Sequence, residues 1–299
     1  MKDLIHFQNV SYAYHTLAGE TLALHKINFS VARNDFVAIV GPSGCGKSSL
    51  LSLFAGLLEP EEGIITLNGE KLSSNNRCSI GYMLQKDQLF DWRSIEKNIF
   101  LGLEIRKQLT KENKEYAMTL LRTYGLYEFR HAKPFELSGG MRQRAALIRT
   151  LVLRPDLLLL DEPFSALDYQ TRLNTCDDIG TILKKEKKTA VLVTHDIAEA
   201  VSLGNKVIFL SKRPGTVKRI VPIEFDPVLT PMERRNAAEF KYYFNTIWKE
   251  LNQDACSLHH PIKLYQSFKT PKKKDIICTF LTSFSFSVSM GNLCGHRSD

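Results

Sequence analysis

Eight residues constrain this chain more than any others. Gly41, Pro42, Ser43, Gly44, Cys45, Gly46, Lys47 and Ser48 stand directly between an apolar run, FVAIV at 36–40, and a helix-like stretch, SSLLSLFAG. The spacing G-x-x-x-x-G-K-[ST] between a strand and a helix is that of a phosphate-binding loop. Glycines let successive backbone N–H groups wrap one anion without side-chain obstruction, and the helix N-terminus adds partial positive charge. Lys47 is spaced to reach the β/γ-phosphates of a nucleotide, and the Ser48 hydroxyl suits Mg²⁺.

Three further continuous apolar runs, LLLL at 157–160, AVLV at 190–193 and VIFL at 207–210, suit strands buried on both faces of a parallel sheet. Helical patterns separate some of them. One runs over 110–124 from a Thr110 cap to Gly125, and another over 139–153 until Arg154-Pro155 stops it. Near the N-terminus LIHFQNV and TLALHKINFSV read as antiparallel strands, and Asn68-Gly69 as a tight hairpin turn. An α/β fold with an antiparallel β-rich start is expected.

Ligands of an open parallel sheet gather outside the carboxyl ends of its strands. LLLL ends in Asp161-Glu162, and AVLVT ends in His195. Three strands therefore deliver polar chemistry to one edge. Asp161 is suited to hold Mg²⁺ through its water shell, Glu162 to polarise an attacking water, and His195 to orient a γ-phosphate. Ser138, Gly139 and Gly140 open the 139–153 helix and form a second anion-seeking helix end.

The formal net charge of +8 is unevenly spread: residues 262–299 hold six Lys/Arg against two Asp. The remaining +4 is mild and does not argue for a nucleic-acid partner. The first thirty residues hold no signal-peptide core, and no stretch approaches the ~18–20 apolar residues that span a bilayer. An integral membrane protein is excluded on this reading; a subunit docked onto one is not. Six cysteines without paired spacing fit a reduced compartment. Cys45, beside Lys47 and a helix N-terminus, is expected to be a thiolate and the most reactive of the six.

Taken together, these residues resemble the nucleotide-binding subunits of ABC transporters over about 3–255. Gly41–Ser48 resembles the Walker A motif, LLLLDE the Walker B, LSGGMRQR the family signature and SALD at 165–168 the D-loop. By that resemblance Gln85 is the Q-loop glutamine, His195 the switch histidine and Tyr14 the aromatic on adenine, with Tyr12 two residues away as the alternative. GLLEPEEGIITLNG, DEPFSALDYQTR, THDIAEAV and LSKRPGTV resemble the nitrate/sulfonate/taurine importer branch. Phe90-Asp91-Trp92-Arg93 departs from that branch's Leu-Pro-Trp-Arg, in a segment expected to line the groove for the permease.

The resemblance implies a P-loop ABC-type nucleotide-binding domain over 1–255, with an antiparallel β subdomain and a helical subdomain at about 86–155. A basic, poorly ordered tail is expected over 256–299. It implies ATP and Mg²⁺ as ligands. ATP contacts would come from Tyr14, Gly41–Ser48, Ser49, Gln85, Asp161, Ser138–Gly140 and Asp168. Ser48, Gln85 and Asp161 would serve the metal, and Glu162, His195 and Lys47 catalysis. It also implies a homodimer closed around nucleotide, separate membrane permease subunits, an extracytoplasmic solute-binding protein beyond them, and a place on the cytoplasmic face of the membrane.

Overall fold

The computed structural model describes residues 3–17, 19–73 and 76–256. β1 (Asp3–Thr16), β2 (Gly19–Ala32), β4 (Glu62–Leu67) and β5 (Glu70–Lys71) form a four-stranded antiparallel sheet in the order β2-β1-β4-β5. The β4–β5 turn is the expected hairpin: Asn68 and Gly69 have φ of 56° and 87°, as a two-residue turn between twisted strands requires.

The second sheet holds β3 (Phe36–Val40), β6 (Ile80–Met83), β7 (Leu157–Asp161), β8 (Thr189–Val193), β9 (Lys206–Leu210) and β10 (Val217–Pro222), in the order β10-β9-β3-β8-β7-β6. All neighbours are parallel except β10, which is antiparallel to β9. The four apolar runs became β3, β7, β8 and β9, and their buried faces explain the unbroken hydrophobicity. Two edge strands escaped the sequence reading. β6 is short and holds Gly81, which is glycine because a Cβ there would lie 2.5 Å from Thr150 Cγ2. β10 is mostly exposed and so lacks an apolar run.

Helix α1 (Lys47–Phe54) lies in the core between the two sheets, where Phe54 packs on Phe7 and Phe29 with ring centroids 4.5 and 5.7 Å apart. The opposite face of the parallel sheet is covered by α2 (Ile95–Ile105), α3 (Lys111–Thr123), α4 (Gly139–Leu151) and α5 (Tyr169–Lys185). Thr110 caps α3 as expected, its hydroxyl accepting from Asn113 N. Helix α6 (Ile197–Leu203) and the C-terminal α8 (Ala238–Cys256) sandwich a third apolar cluster against β9 and β10, with α7 (Pro231–Asn236) between them in sequence. No helix among the described residues is long and apolar enough to cross a membrane. The expected tail over 256–299 lies, beyond the backbone end of α8, outside the described residues.

Candidate functional site: a phosphate-loop cavity at the sheet edge

β3, β8 and β7 are adjacent, so the residues that follow them meet. The ladder continues past the strands: Thr194 N donates to Ile39 O at 3.3 Å and Glu162 N to Val193 O at 2.9 Å. Gly41–Ser48, Asp161/Glu162 and His195 thereby share one edge of the sheet. A cavity of about 370 Å³ opens there, lined by Tyr14, Ser43, Gly44, Gly46, Lys47, Ser48, Ser49 and Glu162 together with Ala23 and Arg213.

The loop is built for an anion. The cap of α1 is Gly46 at φ 100°, a left-handed conformation with no side chain to satisfy the first helical N–H groups. Lys47 Nζ is held over the loop by the carbonyls of Gly41 (2.8 Å) and Pro42 (3.0 Å). Glu162 has φ 43°, a conformation that costs a non-glycine residue about 1–3 kcal/mol and recurs at functional sites. Its Oε2 lies 3.2 Å from His195 Nδ1. Gln85 Nε2 donates to Ser165 Oγ (3.2 Å), which donates to Glu162 O (2.9 Å), so Gln85 is tethered to the Glu162 backbone. Burial raises the Asp161 pKa, with the Tyr82 hydroxyl, donated at 3.3 Å, and the Lys47 charge opposing it. Behind His195, Glu199 is buried, bonded to Thr194 Oγ1 at 2.6 Å, and pushed up to about 7 by burial.

The tyrosine alternative separates by position. Tyr14 lines the cavity, is 40% exposed and bonds Ser49 Oγ at 3.0 Å, whereas Tyr12 packs on the core beneath it, its ring at 89° to that of Tyr14.

Ser138, Gly139, Gly140 and Asp168 do not line this cavity. Ser138 caps α4 through Met141 N, and Asp168 caps α5 through Thr171 N, which lowers the Asp168 pKa. Leu167 presses on Gly139, where a Cβ would lie 2.8 Å from its Cδ2, so the two caps adjoin.

The expectation for Cys45 is overturned. Its thiol is 1% exposed among apolar side chains, and desolvation raises its pKa against the opposing pull of Lys47. Although Lys47 Nζ lies 3.9 Å from its Sγ, Cys45 is a packed, buried thiol and not the exposed thiolate expected.

Arg213 was missed. It stood in LSKRPGTV, where Pro-Gly reads only as a turn. That turn is pinned to β2 through Gly215 N to Ala23 O and His25 N to Gly215 O, both 2.9 Å, which brings Arg213 to the cavity rim. Tyr82 and Ser165 were missed for the same reason: only long-range pairing brings them to Asp161 and Gln85.

Comparison with known proteins agrees with this geometry. The ABC transporter family model matches residues 24–165. The chain is 48% identical over 250 residues to an uncharacterized ABC transporter ATP-binding protein, YtlC, of Bacillus subtilis, covering 83% of this chain and 95% of that protein. It is 37% identical over 217 residues to the aliphatic sulfonates import ATP-binding protein SsuB of Bacillus cereus, covering 73% and 85%. The dimeric post-hydrolysis structure of the ATP-binding cassette MJ0796 bound to ADP and Pi superposes with a TM-score of 0.63 at 29% identity, covering 74% of this chain and all of that one. This chain belongs to the ABC transporter family as one of its ATP-binding proteins, with the ABC ATPase fold and the ATP-hydrolysing activity of that family.

Proposed function

We propose that the chain is the ATP-hydrolysing subunit of an importer for a small organic anion of the aliphatic sulfonate kind. The single observation that carries its catalytic half is the meeting of Gly41–Ser48, Glu162 and His195 at one sheet edge, with Glu162 and His195 3.2 Å apart. The relatives named for aliphatic sulfonates and the LSKRPGTV segment support the importer half.

In this reading the N–H groups of 41–49 and Lys47 bind the phosphates, Tyr14 stacks on adenine, Glu162 orients and polarises the attacking water, and His195 holds the γ-phosphate side of Glu162. The donors beside the loop fit Mg²⁺. Ser48, Gln85 and Asp161 offer oxygens only, and no cluster of three His, Cys, Asp or Glu exists among the described residues. Such a partial set suits an ion that arrives with nucleotide phosphates and keeps most of its waters. Bound there, the ion would neutralise phosphate charge.

Ser138, Gly139, Gly140 and Asp168 point to a second copy. One chain has two anion-seeking helix ends but one catalytic cluster, and a two-fold dimer uses both. The dimeric state of the MJ0796 cassette supports this reading. Permease subunits would dock at the groove beside 86–91, where Trp92 and Phe135 stand 72% and 71% exposed. That docking places the chain at the cytoplasmic face of a membrane, with a solute-binding protein on the far side. The test is growth on an alkanesulfonate as sole sulfur source after deletion of the gene. Loss of growth restored by the wild type but not by Glu162→Gln supports the reading, and undiminished growth refutes the solute.

A further inference from the structure

A second, larger cavity of about 610 Å³ lies at the opposite end of the parallel sheet, where β3 begins. Its walls come from the last turns of α5, the end of α6 and the segment from Ile223 to Arg234. The apolar part is Phe36, Leu183, Leu203, Ile223, Phe225 and Leu229; the charged part is Lys184, Lys187, Lys188 and Arg234 against Glu224 alone.

The lysines have an ordinary explanation. They sit at or just past the C-terminus of α5, where cations offset the helix dipole, and Lys184 and Lys188 donate to the carbonyls of Leu229 (3.4 Å) and Pro155 (3.2 Å). Arg234 too stands at helix ends, in the last turn of α7 and against the last turn of α6, but it differs from other half-buried arginines in its ion pairing. Four arginines bury an Nε without a hydrogen-bond partner: Arg93, Arg144, Arg172 and Arg234. The first three pair with Glu104, Asp178 and Asp196. Arg234 pairs with no carboxylate among the described residues. It has one bond to Ser202 O at 3.3 Å and the Phe225 ring at 5.4 Å, and burial lowers its pKa. Arg234 is half-buried, and with Lys184, Lys187 and Lys188 it gives the cavity four cations against one carboxylate, an excess that a bound anion would offset.

We propose that this cavity is a binding site for a small amphipathic organic anion, with the anionic head on Arg234 and Lys187 and an aliphatic body against Leu183, Leu203 and Phe225. Its two helical walls start at the catalytic end: α5 at its Asp168 cap, and α6 immediately after His195 and its Asp196 cap. The site therefore touches both helices that lead from the ATP-hydrolysing edge. The inference holds whether or not the chain serves a sulfonate importer, because it rests on Arg234 and not on the solute.

Isothermal titration calorimetry of the purified full chain with sodium hexanesulfonate tests it, with hexanoate, hexanol and sulfate in parallel arms. The expected dissociation constant for the organic anions is about 0.1–1 mM, with hexanol and sulfate at least tenfold weaker. Binding of hexanesulfonate without hexanoate supports the site and narrows the head group. Arg234→Gln should weaken binding at least tenfold and Lys187→Gln two- to threefold. Lys187 is exposed, so that variant remains informative if Arg234→Gln melts early, and Arg234→Lys then reports the fork geometry. No heat at 10 mM, hexanol binding as tightly as hexanesulfonate, or wild-type affinity in both Arg234 variants overturns the proposal.

Discussion

Two helix N-termini in this molecule face the same physical problem and solve it in opposite ways. α1 begins at Gly46, which has no side chain and a left-handed backbone, so its first N–H groups point into a cavity beside Lys47 and Glu162. α4 begins at Ser138, whose hydroxyl accepts from Met141 N, so part of its orphan set is satisfied within the chain. The first end is open beside Lys47 and Glu162; the second is capped within the chain, adjoins the Asp168 cap and lines, through Gly139, the separate groove beside 86–91. The contrast teaches that a glycine-rich helix start is not by itself a site. What makes α1 chemical is the neighbouring strand ends, and what could make α4 chemical is a surface supplied by another chain.

The strongest way to break this comparison is Glu162→Gln. Loss of a positioned catalytic carboxylate should slow ATP turnover by roughly 10²–10³ while nucleotide binding persists. Steady-state hydrolysis and fluorescent-nucleotide binding measure the two separately, and size-exclusion chromatography with Mg-ATP should report a dimer. Wild-type turnover in the variant would remove Glu162 from the mechanism and with it the distinction drawn for α1.

Gly139→Ala probes the other end. Its Cβ would meet Leu167 Cδ2 at 2.8 Å, so that side chain must shift, and it would add bulk at the helix end proposed to meet the nucleotide of a second copy. Turnover should fall at least tenfold, by more than about 1.4 kcal/mol of barrier, with binding of ATP to the monomer unchanged. Ser138→Ala separates stability from chemistry, since losing the cap costs about 0.5–2 kcal/mol of stability. Should turnover be unaffected in both variants, α4 is merely a capped helix.

Tyr14→Ala should raise KM for ATP about five- to tenfold, as for loss of one base stack, with kcat little changed. Tyr12→Ala should instead lower the melting temperature, because that ring packs on the core. Equal KM effects from the two would erase the assignment made by the cavity.

The smallest effect is expected at Cys45. Cys45→Ala should keep turnover within about twofold, since the loop binds through backbone N–H groups. Brief maleimide treatment followed by mass spectrometry should modify exposed Cys78 well before Cys45. Rapid labelling of Cys45 that Mg-ATP suppresses would mean that the loop opens on its own.

Much was legible in the sequence because it is local. Four continuous apolar runs specify buried parallel strands wherever they are placed, since only a sheet covered on both faces tolerates them. The G-x-x-x-x-G-K-S spacing fixes a backbone path, Asn68-Gly69 fixes a hairpin, and Thr110 and Ser138 fix helix starts within three residues of themselves. Asp161, Glu162 and His195 could be read because strand ends in such a sheet share an edge.

What only the tertiary structure decided depends on contacts between distant segments. Arg213 reaches the nucleotide cavity because Gly215 pairs with Ala23, more than 190 residues earlier in the chain. Tyr14 rather than Tyr12 lines the cavity although the two rings touch, and the register shifts around Tyr12 break the alternation that sequence would count. Cys45 was misread because proximity to Lys47 in sequence says nothing about desolvation; burial against the core outweighs the charge beside it. Arg234 meets the Ser202 carbonyl of α6 rather than a carboxylate through the packing of α7 beside α6, a relation no local pattern encodes. Periodicity and short motifs determine backbone and cap; burial, which sets charge and reactivity, is a property of the assembled layers.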